Sequence, residues 1–410
     1  TYKTDNKNIV KVEIDRFPIG QDDGLGHVIK ELQLNNNEEQ DADFVLSKSN
    51  INEINNNIIK SKKIEKRERV DLSDKNSYLF KSWNFDDSPI LPIIQIERGP
   101  ESSTKLWIHT NNIAERIELN RRNSLELFIN GFESIPLLNN WQNYLSDSIR
   151  YASEFQIGEK NEAISLCLHL NSKHEITDWS FHLTIVKCSF VVGSDHVDAL
   201  LSRKSKTRIT SRLLKPIKEY IQDLDKILEI SISLRQRHLS EGNVEIPKPL
   251  NTIKSLDEFY VHNPAEYSKG YFEPLNKEDC QTYLSPILHE SHLIWSKHSN
   301  QYKLKSAGYL SKGLDCINAN EIIKYSDLIS NDVKLNEEGN LTLNQIIKLC
   351  DDDNKKRILH KLLINEIKEN DLCLNTKIFD DDESEKIFIS PWTFPGYDFT
   401  NLINQFCIFN

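Results

Sequence analysis

Between Leu213 and Leu239 the inward-type residues fall at alternating spacings of four and three: Leu213, Ile217, Tyr220, Leu224, Ile227, Ser231 and Leu234. Leu214, Ile221 and Leu228 form a second row beside them. A stripe this wide belongs to one long helix laid against a core. Gln222, Asp223, Lys226, Glu229 and Arg235 fill the opposite face. Pro216 suits the first turn, where its missing N–H would be unpaired anyway. The spacing predicts a helix over 216–239, about 36 Å long at about 1.5 Å per residue. The stripe is broader than a two-stranded coiled-coil seam, so packing within the chain is expected over self-dimerisation. This helix divides the sequence into two unlike halves.

The remaining bounds come from size and charge. A chain of 410 residues has room for two or three domains. Its net charge of −11 disfavours a protein that coats nucleic acid over its whole surface. No run of 18 uncharged apolar residues occurs, so no membrane span is expected. The first eight residues hold no apolar signal core. Seven single cysteines without a CxxC fit a reducing compartment and buried thiols, and neither a disulfide frame nor a zinc site. Nucleus or cytoplasm is the expected location, with the nucleus favoured. Methionine is absent, and the abundance of Asn, Ile, Lys and Ser resembles the proteins of an AT-rich genome such as a yeast's.

The expected fold class is α+β, with a strand-rich N-terminal region, the long central helix and a C-terminal helical domain. Residues 1–34 read as a strand (Ile9–Ile14), a turn-rich loop and a short helix (His27–Leu34) packing on the sheet domain. Gly24 and Gly26 precede that helix, but neither GxGxxG nor GxxxxGK[ST] is present, and Asp22 and Asp23 would repel a phosphate. Residues 35–77 read as a low-complexity linker or insertion. It contains the mixed charge run Lys60-Ser-Lys-Lys-Ile-Glu-Lys-Arg-Glu-Arg69, either a solvated segment or a nuclear-import signal. Over 78–202, short apolar runs between turn residues predict strands at Tyr78–Phe85, Ile90–Ile96, Lys105–His109, Ile113–Leu119 and Leu125–Ile129. A helix is expected over Leu137–Phe155. Ala163–Leu170 and Trp179–Val191 alternate strictly and are joined as a hairpin, which together suggests an antiparallel sheet half-buried against a helix or second sheet. Residues 203–239 are the basic segment and the long helix, and 240–316 a connector followed by a helix near Gln281–Trp295. That helix carries His289-Glu-Ser-His292, whose histidines stand three apart where a zinc-binding HExxH needs four.

Residues 317–410 resemble a winged-helix domain in the order of their parts. Helices are expected at Ile317–Ile329, Leu341–Cys350 and Asn354–Lys368, then two strands, Leu372–Phe379 and Lys386–Ile389, around Asp380-Asp-Asp-Glu-Ser-Glu385. Thr342 and Gln345 form a capping box at the second helix. The third helix carries Lys355, Lys356, Arg357 and Lys361, but the acidic wing would repel phosphates, which favours a protein-binding domain. The aromatic tail offers Trp392, Phe394 and Tyr397 as anchors for a partner, or as residues that pack back on the last domain.

No nucleophile elbow, kinase signature, metal-ligand spacing or phosphate loop appears, and no cofactor is expected. The favoured expectation is a non-catalytic scaffold or adaptor subunit of an intracellular multiprotein complex, with other subunits as partners, a hetero-complex over a homo-oligomer, and no membrane. The first alternative is a DNA-metabolism factor that touches nucleic acid through Arg203, Lys204, Lys206, Arg208, Arg212 and Lys215, with Lys355–Lys361 as a second contact. Ser205, Thr207, Thr210 and Ser211 would let phosphorylation cancel that charge. A strand pair containing Trp179-Ser-Phe-His182 followed by a long helix resembles the plan of DNA-repair scaffold proteins and colours this alternative. The second is an enzyme whose site has no recognisable motif.

Overall fold

The computed structural model describes residues 9–18, 20, 23–32, 59–81, 90–100, 103–118, 120–129, 134–136, 141–203, 211–240, 280–310, 317–318, 340–341, 371–375 and 388–409. Strands β1 (Ile9–Arg16) and β2 (Leu25–Leu32) form an antiparallel pair of their own. The second strand was expected as a helix. In its register Lys11 faces Lys30 and Val12 faces Val28, so Ile29 is an extra residue between two pairs. That bulge puts Val28 and Ile29 side by side and breaks the two-residue rhythm that marks a strand.

A seven-stranded mixed sheet is the centre of the molecule. It takes β3 (Val70–Asp71), β4 (Ser77–Lys81), β5 (Ile93–Arg98) and β6 (Thr104–Asn111). A 3-10 turn (Ala114–Arg116), helix α1 (Arg121–Ile129), a small pair β7 (Ile135–Pro136) and β8 (Trp141–Gln142), and helix α2 (Asp147–Ser153) intervene. The sheet then gains β9 (Asn161–Leu170), β10 (Ile176–Val186) and β11 (Phe190–Gly193). The strand order is β11-β4-β5-β6-β9-β10-β3. The expected β9–β10 hairpin is present, from Ile176 opposite Leu170 to Val186 opposite Asn161. The sheet is not purely antiparallel, because β11 runs parallel to β4 and β3 parallel to β10.

Helices α3 (Ser194–Ser202), α4 (Ile221–Ser240), α5 (Cys280–Gln301) and α6 (Phe399–Phe409) complete the regular structure around it. One sheet face carries Ile94, Ile96, Leu106, Ile108, Ile164, Leu166 and Leu168 into the main core. Helix α4 meets it with Ile221, Leu224, Ile227, Ile230 and Leu234, and α5 with Leu284, Ile287, Ile294 and Trp295. The long stripe therefore does pack within its own chain. The helix starts at Ile221, whereas 211–220 is a run of turns, and Leu213 is exposed. The opposite face has a smaller core of Ile93, Trp107, Ala163, Cys167 and Val186.

Two local expectations between β6 and β9 are corrected. Ile113–Leu119 was expected as a strand, but its start is the 3-10 turn, whose Ile113 and Ala114 N–H groups donate to Gln405 Oε1 of α6 at 3.0 and 2.9 Å. A partner 292 residues away leaves no local trace. Leu125–Ile129 lies in α1, whose start Asn120 caps by accepting from the Asn123 N–H at 2.8 Å. Within the expected helix Leu137–Phe155, the described residues are the strand β8 and the shorter helix α2.

The winged-helix expectation is also corrected. Strand β12 (Ala307–Leu310) lies upstream of the expected domain, and β13 (Ile317–Asn318) pairs with β14 (Asn340–Leu341) where a first helix was expected to begin. Strands β15 (Asp371–Leu374) and β16 (Phe388–Ile389) do not form a wing with each other. They flank β12 on its two sides in a three-stranded sheet. The middle strand of that sheet is some sixty residues before its neighbour, so the pairing was not readable as a local hairpin. The rest of the expected helices, 319–329 and 342–350, the whole of 354–368 and the acidic run 380–385 lie outside the described residues.

Candidate nucleic-acid interface

The charge run 60–69 is an extended strap held at both ends. Ile59 is 2% exposed in the main core, and its carbonyl accepts from Ser146 Oγ at 2.7 Å. The Ser61 N–H donates to Ser148 Oγ at 3.1 Å, and the Lys62 N–H to the Arg116 carbonyl at 2.9 Å. At the far end Val70 and Asp71 pair with Thr184 and Ile185 of β10, and the Leu72 N–H donates to the Ile185 carbonyl at 2.8 Å. The strap thus crosses the start of α2 and the 3-10 turn before joining the sheet edge.

Its basic side chains divide into two sets. Arg69, 5% exposed, and Asn112 both donate to Glu115 Oε2, and Glu115 is itself buried. Arg67 approaches Glu115 Oε1 at 3.9 Å and Glu65 at 3.5 Å, and its guanidinium lies 4.3 Å above the Phe409 ring of α6. Arg116 pairs with Glu162 at 3.5 Å, and burial pulls its guanidinium below its ordinary value. Arg67 and Arg69 fasten the strap to the 3-10 turn and to α6. Lys60, Lys62, Lys63 and Lys66 are exposed, and none of them has an ion pair among the described residues. Four ammonium groups without an ion pair among the described residues therefore stand on backbone tied down at both ends, in a chain of net charge −11.

Arg121 and Arg122 follow the 3-10 turn in the chain. Both are exposed at the start of α1, where cations oppose the helix dipole. Arg121 is five positions after Arg116, on whose carbonyl the strap rests, so the two lie within about 18 Å of each other even at full extension. Helix α6 fixes the far side of the 3-10 turn, with Gln405 Nε2 donating to Thr110 Oγ1 at 3.1 Å and to the Asn111 carbonyl at 2.9 Å.

The residues singled out from sequence are placed as follows. Arg203 is half-buried and bonds Asp225 of α4. Arg212 and Lys215 are exposed on the turns before α4, while Lys204, Lys206 and Arg208 lie outside the described residues, as do Lys355, Lys356, Arg357 and Lys361. Trp392 is fully buried, packs on Phe181 and donates from Nε1 to the Ser291 carbonyl at 3.3 Å. Phe394 and Tyr397 are half-buried and stack on each other. The tail thus packs back on the core at Trp392. The two histidines of the HExH run are separated in role: His289 meets His238 of α4, and His292 bonds Thr393 Oγ1 at 2.8 Å. Among the described residues no group of three or more His, Cys, Asp or Glu side chains could hold a metal ion. No helix of the described residues is long and apolar enough to cross a membrane.

The family model of the RNB domain matches residues 69–387, a span that takes in the whole mixed sheet and helices α4 and α5 on its main-core face. The chain belongs to the RNB-domain family. By structure it is similar to Mycoplasma genitalium RNase R in complex with ribose-methylated single-stranded RNA, at 11% identity and a TM-score of 0.72, covering 98% of this chain and 62% of that one. It is also similar to yeast Ssd1, a pseudonuclease, at 14% identity and a TM-score of 0.65, covering 96% of this chain and 48% of that one. A third likeness is to an active-site mutant of the Dss1 exoribonuclease from Candida glabrata, at 16% identity and a TM-score of 0.55, covering 83% and 40%. The chain spans about three fifths of the RNase R chain or less of the others. None of the curated proteins matches it. The family overturns the expectation of a nuclear scaffold subunit, as it does the winged-helix reading. Its relatives include exoribonucleases and a pseudonuclease, so membership by itself fixes neither catalysis nor its loss.

Proposed function

We propose that this chain binds single-stranded RNA, and that the strap Lys60–Arg69 with Arg121 and Arg122 holds the phosphate backbone. The observation that carries the proposal is the strap itself: lysines without an ion pair among the described residues, exposed on backbone that is tied down at both ends. Membership of the RNB family, and the likeness to RNase R solved with single-stranded RNA, favour RNA over other polyanions. The family match begins at Arg69, so the lysine row is a feature of this chain beside the matched segment. Ammonium groups position phosphates but do not abstract protons at neutral pH, so the strap supplies binding without chemistry of its own. The test is fluorescence anisotropy with a labelled single-stranded RNA, using the chain and its K60E/K62E/K63E/K66E variant. Binding by the first and a loss of at least tenfold in the second is the expected result. Equal binding by both would remove the strap from the interface. Electrophoresis of the recovered RNA, with and without a divalent cation, reads cleavage in the same samples.

A further inference from the structure

A polar cleft of about 320 Å³ lies between the β9–β10 turn and helix α4. The turn contributes Lys173, His174 and Glu175, and α4 contributes Ser233, Gln236 and Arg237 over the buried side chain of Leu234. We infer that this cleft binds a phosphomonoester, carried by a mononucleotide or by the 5′ end of an RNA.

The lining is rich in donors. Lys173 is exposed and has no ion pair among the described residues. His174 sits in the left-handed region, at φ 61°, and its Nε2 lies 2.8 Å from Lys226 Nζ. An ammonium only donates, so Nε2 accepts, and the imidazole carries its proton on Nδ1 as a further donor. Burial, then the Lys226 charge, holds His174 below its usual value, which keeps this neutral tautomer in place. The Ser233 hydroxyl and the Gln236 amide add two more donors. Two nearby carboxylates, Glu229 and Glu290, are ion-paired, whereas Glu175 is held at the rim by a neutral amide and keeps its charge. Asn171 Nδ2 donates to Glu175 at 2.7 Å, Lys226 pairs with Glu229 at 3.1 Å, and Arg237 with Glu290 at 2.6 Å. Among the described residues that line the cleft, Lys173 is the cation without an ion pair, and it is the one that would face a bound anion. A phosphomonoester offers several acceptor oxygens and at least one negative charge, which suits this set. The volume is at the small end for ligand sites, enough for one nucleotide.

The cleft is separate from the strap. The turn stands before Ile176, whereas β3 meets β10 at Thr184, about 26 Å further along the strand at about 3.3 Å per residue.

The test uses the full chain with the strap already altered (K60E/K62E/K63E/K66E), so that backbone binding there does not contribute. Calorimetric titrations with AMP, with a 5′-phosphorylated hexaribonucleotide and with its 5′-hydroxyl twin follow. The expected result is binding of AMP, of the phosphorylated oligomer or of both, with none by the twin. Which of the two binds names the source. K173Q is expected to weaken binding by about tenfold, the size of one charge-assisted hydrogen bond, and K173R to retain it. H174N, which tolerates the same backbone, is expected to weaken it as well. Failure of both phosphorylated probes, equal binding by the twin, or indifference to K173Q would each overturn the assignment without touching the RNA reading of the strap.

Discussion

At the scale of single residues, two positions show how closely backbone and charge are fitted. Gly308 lies in the middle strand of the small sheet, and a Cβ there would fall on the Ile389 carbonyl oxygen and the Phe388 ring. G308A is expected to cost about 1–3 kcal/mol, as overpacking does, read as a shift of the urea midpoint. An unchanged midpoint would mean that β16 does not lie against it. Glu115 is the second. It is buried with Arg69, so E115Q leaves a guanidinium without its counter-charge, at an expected cost of about 3–5 kcal/mol. Sequence reading saw residues 60–69 as mixed charge. It could not divide them into arginines that fasten and lysines that have no ion pair among the described residues, because Glu115 is a partner brought in by folding.

Elements were legible where their signal is local. The strict alternation of β9 and β10 and the stripe of α4 each reported a real buried face. The start of α4 was placed five residues early, because Leu214 and Ile217 are buried from turns in the same rhythm that a helix would use. Strands β3, β12 and β15 are short and find their partners far along the chain, so neither their pairing nor the mixed sheet was foreseeable. Helices α4 and α5 meet around one buried carboxylate. Glu290 accepts from His238 at 2.7 Å and from Arg237 at 2.6 Å. Burial works to raise its carboxyl, but those contacts outweigh it and hold the group below the usual range. E290Q is therefore expected to loosen this helix pair, seen as faster hydrogen exchange in α4 and α5 together. Unaltered exchange in both would show that apolar packing alone holds them.

For the whole molecule, buried neutral histidines set the response to acid. Burial pushes His109 down to about 3, His289 to about 4 and His292 to about 3, with the neighbouring His238 and His289 adding to the last two respectively. In the unfolded chain each takes up a proton near pH 6.5, but in the folded chain only at those lower values. Between about pH 6.5 and 4 the unfolded state binds more protons, so stability is present above that window and falls as pH falls through it. Urea midpoints at pH 7.5 and 5 should differ in that sense, and an H109N variant should flatten the difference. A midpoint that rises towards pH 5 would contradict the burial of these rings.

At the same scale, the RNB architecture is a property of the sheet and its helices as one unit, and no short motif in the sequence announced it. The absence of recognisable site motifs pointed to a scaffold, whereas the family match extends over residues 69–387. What the residues did offer was the cluster of lysines at 60–66, readable as charge but not as a surface.

The most direct measurement is the salt dependence of single-stranded RNA affinity for the chain and for its K60Q/K62Q/K63Q/K66Q variant. Each phosphate neutralised contributes about 0.7 to the slope of log K against log salt on a single strand, so removing four lysines should flatten it by up to about 3. The expected result is a steep line for the chain and a visibly shallower one for the variant. Two parallel lines, or no affinity at low salt in either, would contradict the assignment of the strap as the RNA-holding surface.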